Sequence, residues 1–436
     1  MNTELRAVKT KAEQALADAF AAAKPALPGK GALAKLREEA FRRFDAQGLP
    51  HRRVEEWKYT DLRALMRDAK PLAQPPSAQA KAAAADAGKA LSEVVAQRLV
   101  LIDGQFAPDL SNLVCETGVT VSSMADALAK GNPLVASHVG KVFENADPAV
   151  ALNTALMGDG IVVHVAANAK LTKPIHCVFT GSQDASVFMR SLIVVEQGAS
   201  VFIIESHETK DAQVNAALEV VVGDDAKFKH VKITSAGGLH VSSTMAAFGA
   251  RASFLSLSFT PWSALVRNQM FVRFAGDGAR AAIGGANLLQ GRQHVDTTLV
   301  IDHVARDCTS RQRFKSVLDG ESRAVFQGKI VVQPGAQKTD AKMMTQALLL
   351  SDEAEADNKP ELEIFADDVQ CGHAASVGAL DQDQLFYLRA RGIPHKEAEA
   401  LLIQAMIGDV IDMVEHPGVR DALMRITTAW LGTRDR

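Results

Sequence analysis

The apolar positions change period twice along the chain. Residues 3–24 are Ala-rich with interspersed Lys, Glu and Asp, mostly strong helix formers, so a first helix is predicted there. Pro25 and Pro28-Gly29 break it. Leu33, Leu36, Ala40, Phe41 and Phe44 recur near 3.6 residues and predict a second helix over 32–47, ended by Gly48-Leu49-Pro50. His51 to Leu62 carries Trp57 and Tyr59 and reads as a loop anchored by two aromatics. Pro71, Pro75, Pro76 and an Ala/Lys/Gln tract mark 68–90 as a linker.

From 91 to 378 the pattern is different. Short Val/Ile/Phe/Thr runs alternate with Gly, Asp and Asn, which predicts many short strands. A period runs through them: Gly198-Ala199, Asp225-Ala226, Arg251-Ala252 and Gly278-Ala279 place Ala at spacings of 27, 26 and 27. Two positions after each Ala stand Val201, Phe228, Phe254 and Ala281; five positions after stand Ile204, Val231, Leu257 and Gly284. An even and an odd apolar offset on one strand predict a corner at which the inward face changes parity. A helix-connected parallel sheet needs ~10–15-residue helices between strands, and no gap in 158–333 offers one. A sandwich or barrel gives no reason for the period. Stacked coils do: ~220 residues at ~26 per coil predict about eight coils in a rod of about 40 Å.

The last stretch returns to a helical pattern. Asp381 with Gln384 suits a helix start, Gly392 a helix end and Pro394 the first turn of the next helix. Ala398, Leu401, Leu402, Ala405, Met406, Val410, Ile411 and Val414 form a wide apolar stripe, suited to capping the solenoid or to docking a partner. The predicted fold is therefore mainly β: a right-handed parallel β-helix over 91–380. It is flanked by an N-terminal helical domain (1–67), the linker (68–90) and a C-terminal helical domain (381–436).

Composition narrows the function classes. The 436 residues carry 48 Lys and Arg against 51 Asp and Glu, a net charge of −3, which lacks the basic footprint of a nucleic-acid binder. Aromatics are only 5%, so the core must be built from Val, Ile, Leu and Ala. Four Cys are too few for a disulfide scaffold. No apolar run approaches the ~20 residues of a membrane span. The first twenty residues, with Glu4, Glu13 and Asp18, resemble neither a secretory nor a transit sequence, so a cytoplasmic protein is expected.

No phosphate-binding G-x-x-x-x-G-K-[ST], no G-x-S-x-G and no H-E-x-x-H occurs, so no nucleotide site and no hydrolase signature is expected. His176 and Cys177 are adjacent and would face opposite sides of a strand. His294 and Asp296 share a face, with Asp302-His303 nearby; such pairs usually hydrogen-bond on a polar solenoid face. Cys115 and Cys308 read as ordinary small core or surface residues. Cys371-Gly372-His373 is the more suggestive group. On a strand, Cys371 and His373 would share a face about 6–7 Å apart at Cα. A thiolate and an imidazole can both bind iron, but two donors leave a site open, so others must come from elsewhere.

Several stretches resemble the SufB/SufD family of iron–sulfur cluster assembly proteins: Ala336-Gln337-Lys338-Thr339-Asp340, Leu348-Leu349-Leu350-Ser351, Lys359-Pro360-Glu361-Leu362-Glu363-Ile364, Asp368-Val369-Gln370-Cys371-Gly372-His373 and Tyr387-Leu388-Arg389-Ala390-Arg391-Gly392-Ile393. Gly48-Leu49-Pro50 with Glu56-Trp57-Lys58-Tyr59-Thr60 is similar to the SufD branch. The resemblance implies a non-catalytic scaffold that pairs with a SufB-like paralogue through its end strands and binds a SufC-like ATPase through its C-terminal helices. Cys371 and His373 would then meet iron or a nascent cluster at the subunit interface. Tyr387, Leu388, Arg391 and Ile393 would lie in the ATPase-docking region. Where the family often has Gly after the histidine, this chain has Ala374. It also lacks an additional Cys cluster of the kind that would mark the sulfur-accepting SufB subunit. An uncovered end strand also makes a homodimer of the isolated chain an expectation. Two other readings of the solenoid are a partner-binding protein without iron and a carbohydrate-active β-helix enzyme. The latter would call for a secretion signal and a charged groove.

Overall fold

The computed structural model describes residues 9–114 and 116–434; the expected opening of the first helix at residue 3, and Cys115, fall outside them. From Ile161 to Gly378 successive strands alternate between two sheets, of ten and nine strands, called here sheet 1 and sheet 2. From Ser186 onward each strand pairs in parallel with the strand two before it, as Lys227–Ala236 does with Ser200–Thr209 in sheet 1. The result is a parallel β-solenoid of about seven turns.

The repeated turn-Ala dipeptides are its corners. Gly198, Asp225, Arg251 and Gly278 all take positive φ, between 55° and 72°, and the Ala after each is buried. The corner amides bond to the next coil, Gly198 N–H to Asp224 O at 2.8 Å and Arg251 N–H to Asp277 O at 2.8 Å, so the turn leaves these donors satisfied. Two further corners follow at Asp307-Cys308 and Lys338-Thr339, with φ of 56° and 64°. Cys308 and Thr339 stand where Ala stood, and their spacings widen to 29 and 31 residues. These longer coils account for about seven turns where a uniform period predicted eight.

The interior is apolar and partly aromatic along much of its length, with buried ionisable groups in one stretch. Phe228, Phe248, Phe254 and Phe274 form a continuous stack with centroid separations of 5.4, 4.7 and 5.2 Å. The parity expectation is corrected here. Ser200–Thr209 is one unbroken ten-residue strand. Val201, Phe228 and Phe254 face the interior, whereas Ile204, Val231 and Leu257 face outward into a second apolar layer. The odd offset marks a sheet buried on both sides.

Helices provide both outer layers. At the N-terminus α1 (Lys11–Ala23) is held by a Thr10/Glu13 capping box, and α2 spans Ala32–Gln47. After the short α3 (Leu62–Leu65), residues 68–90 pack rather than hang free. Ala73 N–H bonds to Ser186 O at 3.0 Å, and Ser186 N–H to Pro71 O at 2.8 Å. In the same segment α4 (Ala78–Ala84) lays Ala80 and Ala84 against Val100, Ile102 and Val178. Three more helices, α5 (Met124–Ala129), α6 (Pro133–His138) and α7 (Pro148–Leu156), enter between the first strands and join α1 and α2 over sheet 2. At the C-terminus come α8 (Gln382–Ala390), α9 (His395–Ile411) and α10 (Pro417–Thr433). Ile403, Ile407, Val410, Val419, Leu423 and Trp430 of α9 and α10 pack on Ile204, Val231, Leu257 and Leu288 of sheet 1. Of the predicted stripe, Ala398, Val410, Ile411 and Val414 are buried and Leu401 and Ala405 stay exposed; Ile403 and Ile407 complete the contact on this flank, and the end of the solenoid is left open. Each such Ile or Leu contributes about 1.5–3 kcal/mol by leaving water.

Candidate functional site

The solenoid ends in three strands: Asp340–Leu349 and Gln370–Gly378 in sheet 1, and Glu355–Ile364 in sheet 2. Gln370–Gly378 and Glu355–Ile364 each terminate their sheet, with one edge unpaired. Such an edge is a row of free donors and acceptors ready for another strand. Ile364, Phe365, Val377 and Met344 are all more than 40% exposed around it. Apolar surface gathered at an open strand end marks an interaction face.

Cys371 and His373 sit on this last strand. Cys371 is in register with Ala341 and His373 with Met343. Ala341 and Met343 belong to the interior core, so Cys371 and His373 both face the solenoid lumen at its open mouth. Cys371 is half-buried against that core and His373 is exposed. Burial pushes the Cys371 thiol up, and the Asp340 carboxylate adds to this, while a backbone hydrogen bond from Ala341 works against it. Among the described residues no group of three or more His, Cys, Asp or Glu is arranged to hold a metal. Two donors at an open end make half a site, which a second chain could complete.

Past the strand, Asp381 caps α8 by accepting from the Asp383 and Gln384 amides at 2.9 and 3.1 Å. Phe386 and Tyr387 are 73% and 57% exposed, and the Arg391 guanidinium lies 4.9 Å from the Tyr387 ring. Leu388 and Ile393 are half-buried between them and α9. Gly392, at φ 88°, turns the chain into α9.

The other candidate groups have structural partners. Cys177 faces the core, while His176 faces outward and bonds Ser206 Oγ at 2.8 Å. Asp296 is fully buried in an ion pair with Arg267 and accepts the Thr60 hydroxyl at 2.5 Å; that hydroxyl also lies 3.0 Å from His294 Nε2. Trp57 stacks on Arg267 at 3.8 Å and donates to Asp147 at 2.8 Å. The aromatic loop is thereby clamped to sheet 2. Asp302 pairs outward with Arg273, and His303 points inward to Ser310.

A buried ionisable cluster escaped the sequence reading. Glu205, His207, His230, Lys232 and His240 are all buried, four of them on adjacent interior columns of sheet 1. Burial acts to raise the Glu205 carboxyl, but hydrogen bonds with His207 and His230 outweigh it and hold it well below the usual range. Burial lowers His207 and His240, and brings Lys232 down to about 8. Aligning the chain on its own 27-residue coil would have exposed the signal, since it stacks Lys232 on Glu205.

Comparison with known proteins fits this architecture. Residues 178–406 match the family described as SUF system FeS cluster assembly, SufBD core domain, and residues 10–177 match the SufBD protein N-terminal region. The chain belongs to the SufBD family. It is 32% identical over 385 residues to an iron-sulfur cluster assembly SufBD family protein of Synechocystis, covering 84% of both chains. Against the iron-sulfur cluster assembly protein SufD of Escherichia coli it is 29% identical over 390 residues, 86% of this chain and 88% of that one. The SufD protein of Bacillus subtilis is 29% identical over 332 residues, 73% and 75% of the two chains. As a SufBD family member the chain is an iron–sulfur cluster assembly protein of the SUF system. No helix among the described residues is long and apolar enough to cross a membrane.

Proposed function

We propose that this chain is a SufD-type, non-catalytic scaffold subunit that works in the cytoplasm. In this reading a SufB-like paralogue seats its own terminal strands on Gln370–Gly378 and Glu355–Ile364, extending both sheets across the junction. The observation that carries it is the placing of Cys371 and His373 together on the lumen face of an unpaired strand. Iron or a nascent cluster is the cargo there, with this chain offering a thiol and an imidazole and the paralogue the remaining donors. Deprotonating the Cys371 thiol is opposed by its burial, so His373 is the first ligand of this chain and Cys371 ligates once a cation offsets that cost. A SufC-like ATPase docks on α8 through Tyr387, Leu388, Arg391 and Ile393. Its nucleotide-driven movements reach the open mouth through the short connection at residues 379–381.

The test is anaerobic co-expression with the SufB- and SufC-like partners, followed by iron and sulfide assay of the purified complex. His373→Ala should at least halve cluster content while leaving the complex intact on size exclusion. Tyr387→Ala with Arg391→Glu should release the ATPase but keep the paralogue. Full cluster content in the His373→Ala complex would end the ligand assignment.

A further inference from the structure

On the outer face of sheet 2, away from α8 and reaching the terminal strand Glu355–Ile364 at one end, lies a groove of about 860 Å³. Its floor is the strands Leu265–Phe274, His294–His303, Arg323–Val332 and Glu355–Ile364, and its walls are the loops 47–57 and 143–148. Phe143, Phe271, Val300 and Val331 give the floor an apolar track, with the two phenyl rings 5.7 Å apart. Carboxylates outnumber cations in the lining, seven to three. The three cations are already engaged: Arg267 with Asp296, Lys329 with Glu363, and Lys359 with Glu55 and Glu361. Glu56 on one wall and Glu144 on the other are exposed, and among the described residues neither forms an ion pair. An apolar track flanked by unanswered negative charge is complementary to a chain that is apolar and positive in alternation.

We propose that this groove is a docking site for an extended basic segment of a partner protein. Apolar side chains would seat on Phe271, Val300 and Val331, and Lys or Arg would pair with Glu56 and Glu144. The net acidity of the lining disfavours nucleic acid and anionic lipid. The groove runs across four coils, and a segment alternating cation and hydrophobe fits that length by the ordinary extended period of two.

The test uses the full chain and two labelled eight-residue peptides, one alternating Lys with Leu and Phe, the other with Glu in place of Lys, read by fluorescence anisotropy at low salt. The Lys peptide should bind, weaken with added salt, and lose about tenfold in affinity in Glu56→Gln/Glu144→Gln and again in Val331→Arg. Asp352→Asn/Glu353→Gln, on a distant exposed turn, should leave it unchanged. Equal binding of both peptides, or an affinity that ignores the groove substitutions, would overturn the proposal. So would tighter binding by a chain lacking residues 1–8, which would assign the groove to the protein's own start. Should a variant lose the wild-type circular dichroism, hydrogen exchange on the unaltered chain decides. Protection at 143–148 and 327–331 on adding the Lys peptide supports the groove, and protection confined elsewhere refutes it.

Discussion

Arg267 and Asp296 are both fully buried, and a pair so placed returns little net stability yet is costly to break. Asp296→Ala would leave the guanidinium under Trp57 without a counter-charge and free the Thr60 hydroxyl. The expected loss is about 3–5 kcal/mol in urea unfolding, with Trp emission moving to the red as the aromatic loop lifts. Removing the exposed Arg251–Asp225 pair by Asp225→Asn should leave the unfolding midpoint in place, because solvent screens it. Acid sensitivity belongs to the buried imidazoles. Burial lowers His176 and His303 to about 4, while the unfolded chain titrates near 6.5. Between those values the unfolded chain takes up protons that the folded chain refuses, so stability falls as pH drops from about 6.5 toward about 4. The urea midpoint should follow that slope, and His176→Gln with His303→Gln should make it shallower, the buried His207 and His240 keeping the remainder; a wild-type midpoint that ignores pH in this window would contradict the assignment.

Among the elements, the corners are the most exacting. Gly278 holds φ 72°, and a Cβ there would meet only Arg251 Cγ at 3.5 Å, an ordinary van der Waals contact, so a substitution pays chiefly for backbone conformation. Gly278→Val should cost about 1–2 kcal/mol by thermal melting, with the fold retained. These corners were legible because four of them repeat a turn residue followed by Ala. The next two were not, because Cys308 and Thr339 fill the same inward place and the coil lengthens as it reaches them. Helices α5 to α7 carried readable starts in Ser123, Asn132-Pro133 and Asp147-Pro148, each with its side chain capping in the structure. The strand-rich surroundings masked them. The pairing of Cys371 with His373 on one face followed from period two alone. That the face was the lumen, and that α9 and α10 covered the flank instead of the end, required the tertiary arrangement.

At the scale of the whole molecule, association is written into one end. Val377 is 48% exposed on the last strand, so Val377→Lys should leave the melting temperature of the isolated chain unchanged while abolishing any pairing through that end, read by light scattering. Unaltered pairing would place the contact elsewhere. The opposite end is finished differently. There Gln105–Phe106 folds back antiparallel on its neighbour, and Val119–Ser123 runs antiparallel to Ile161–Val165. A coil added at that end would meet strands of reversed direction, whose hydrogen-bond pattern differs from the one the open mouth offers. Head-to-tail polymers need two termini that match, and among the described residues the two ends of this rod do not: one offers parallel edges, the other reversed ones. Two copies joined mouth to mouth would bury their matching ends and present only reversed ones: the fold carries the adhesive geometry of a fibre without the repeat that would propagate it.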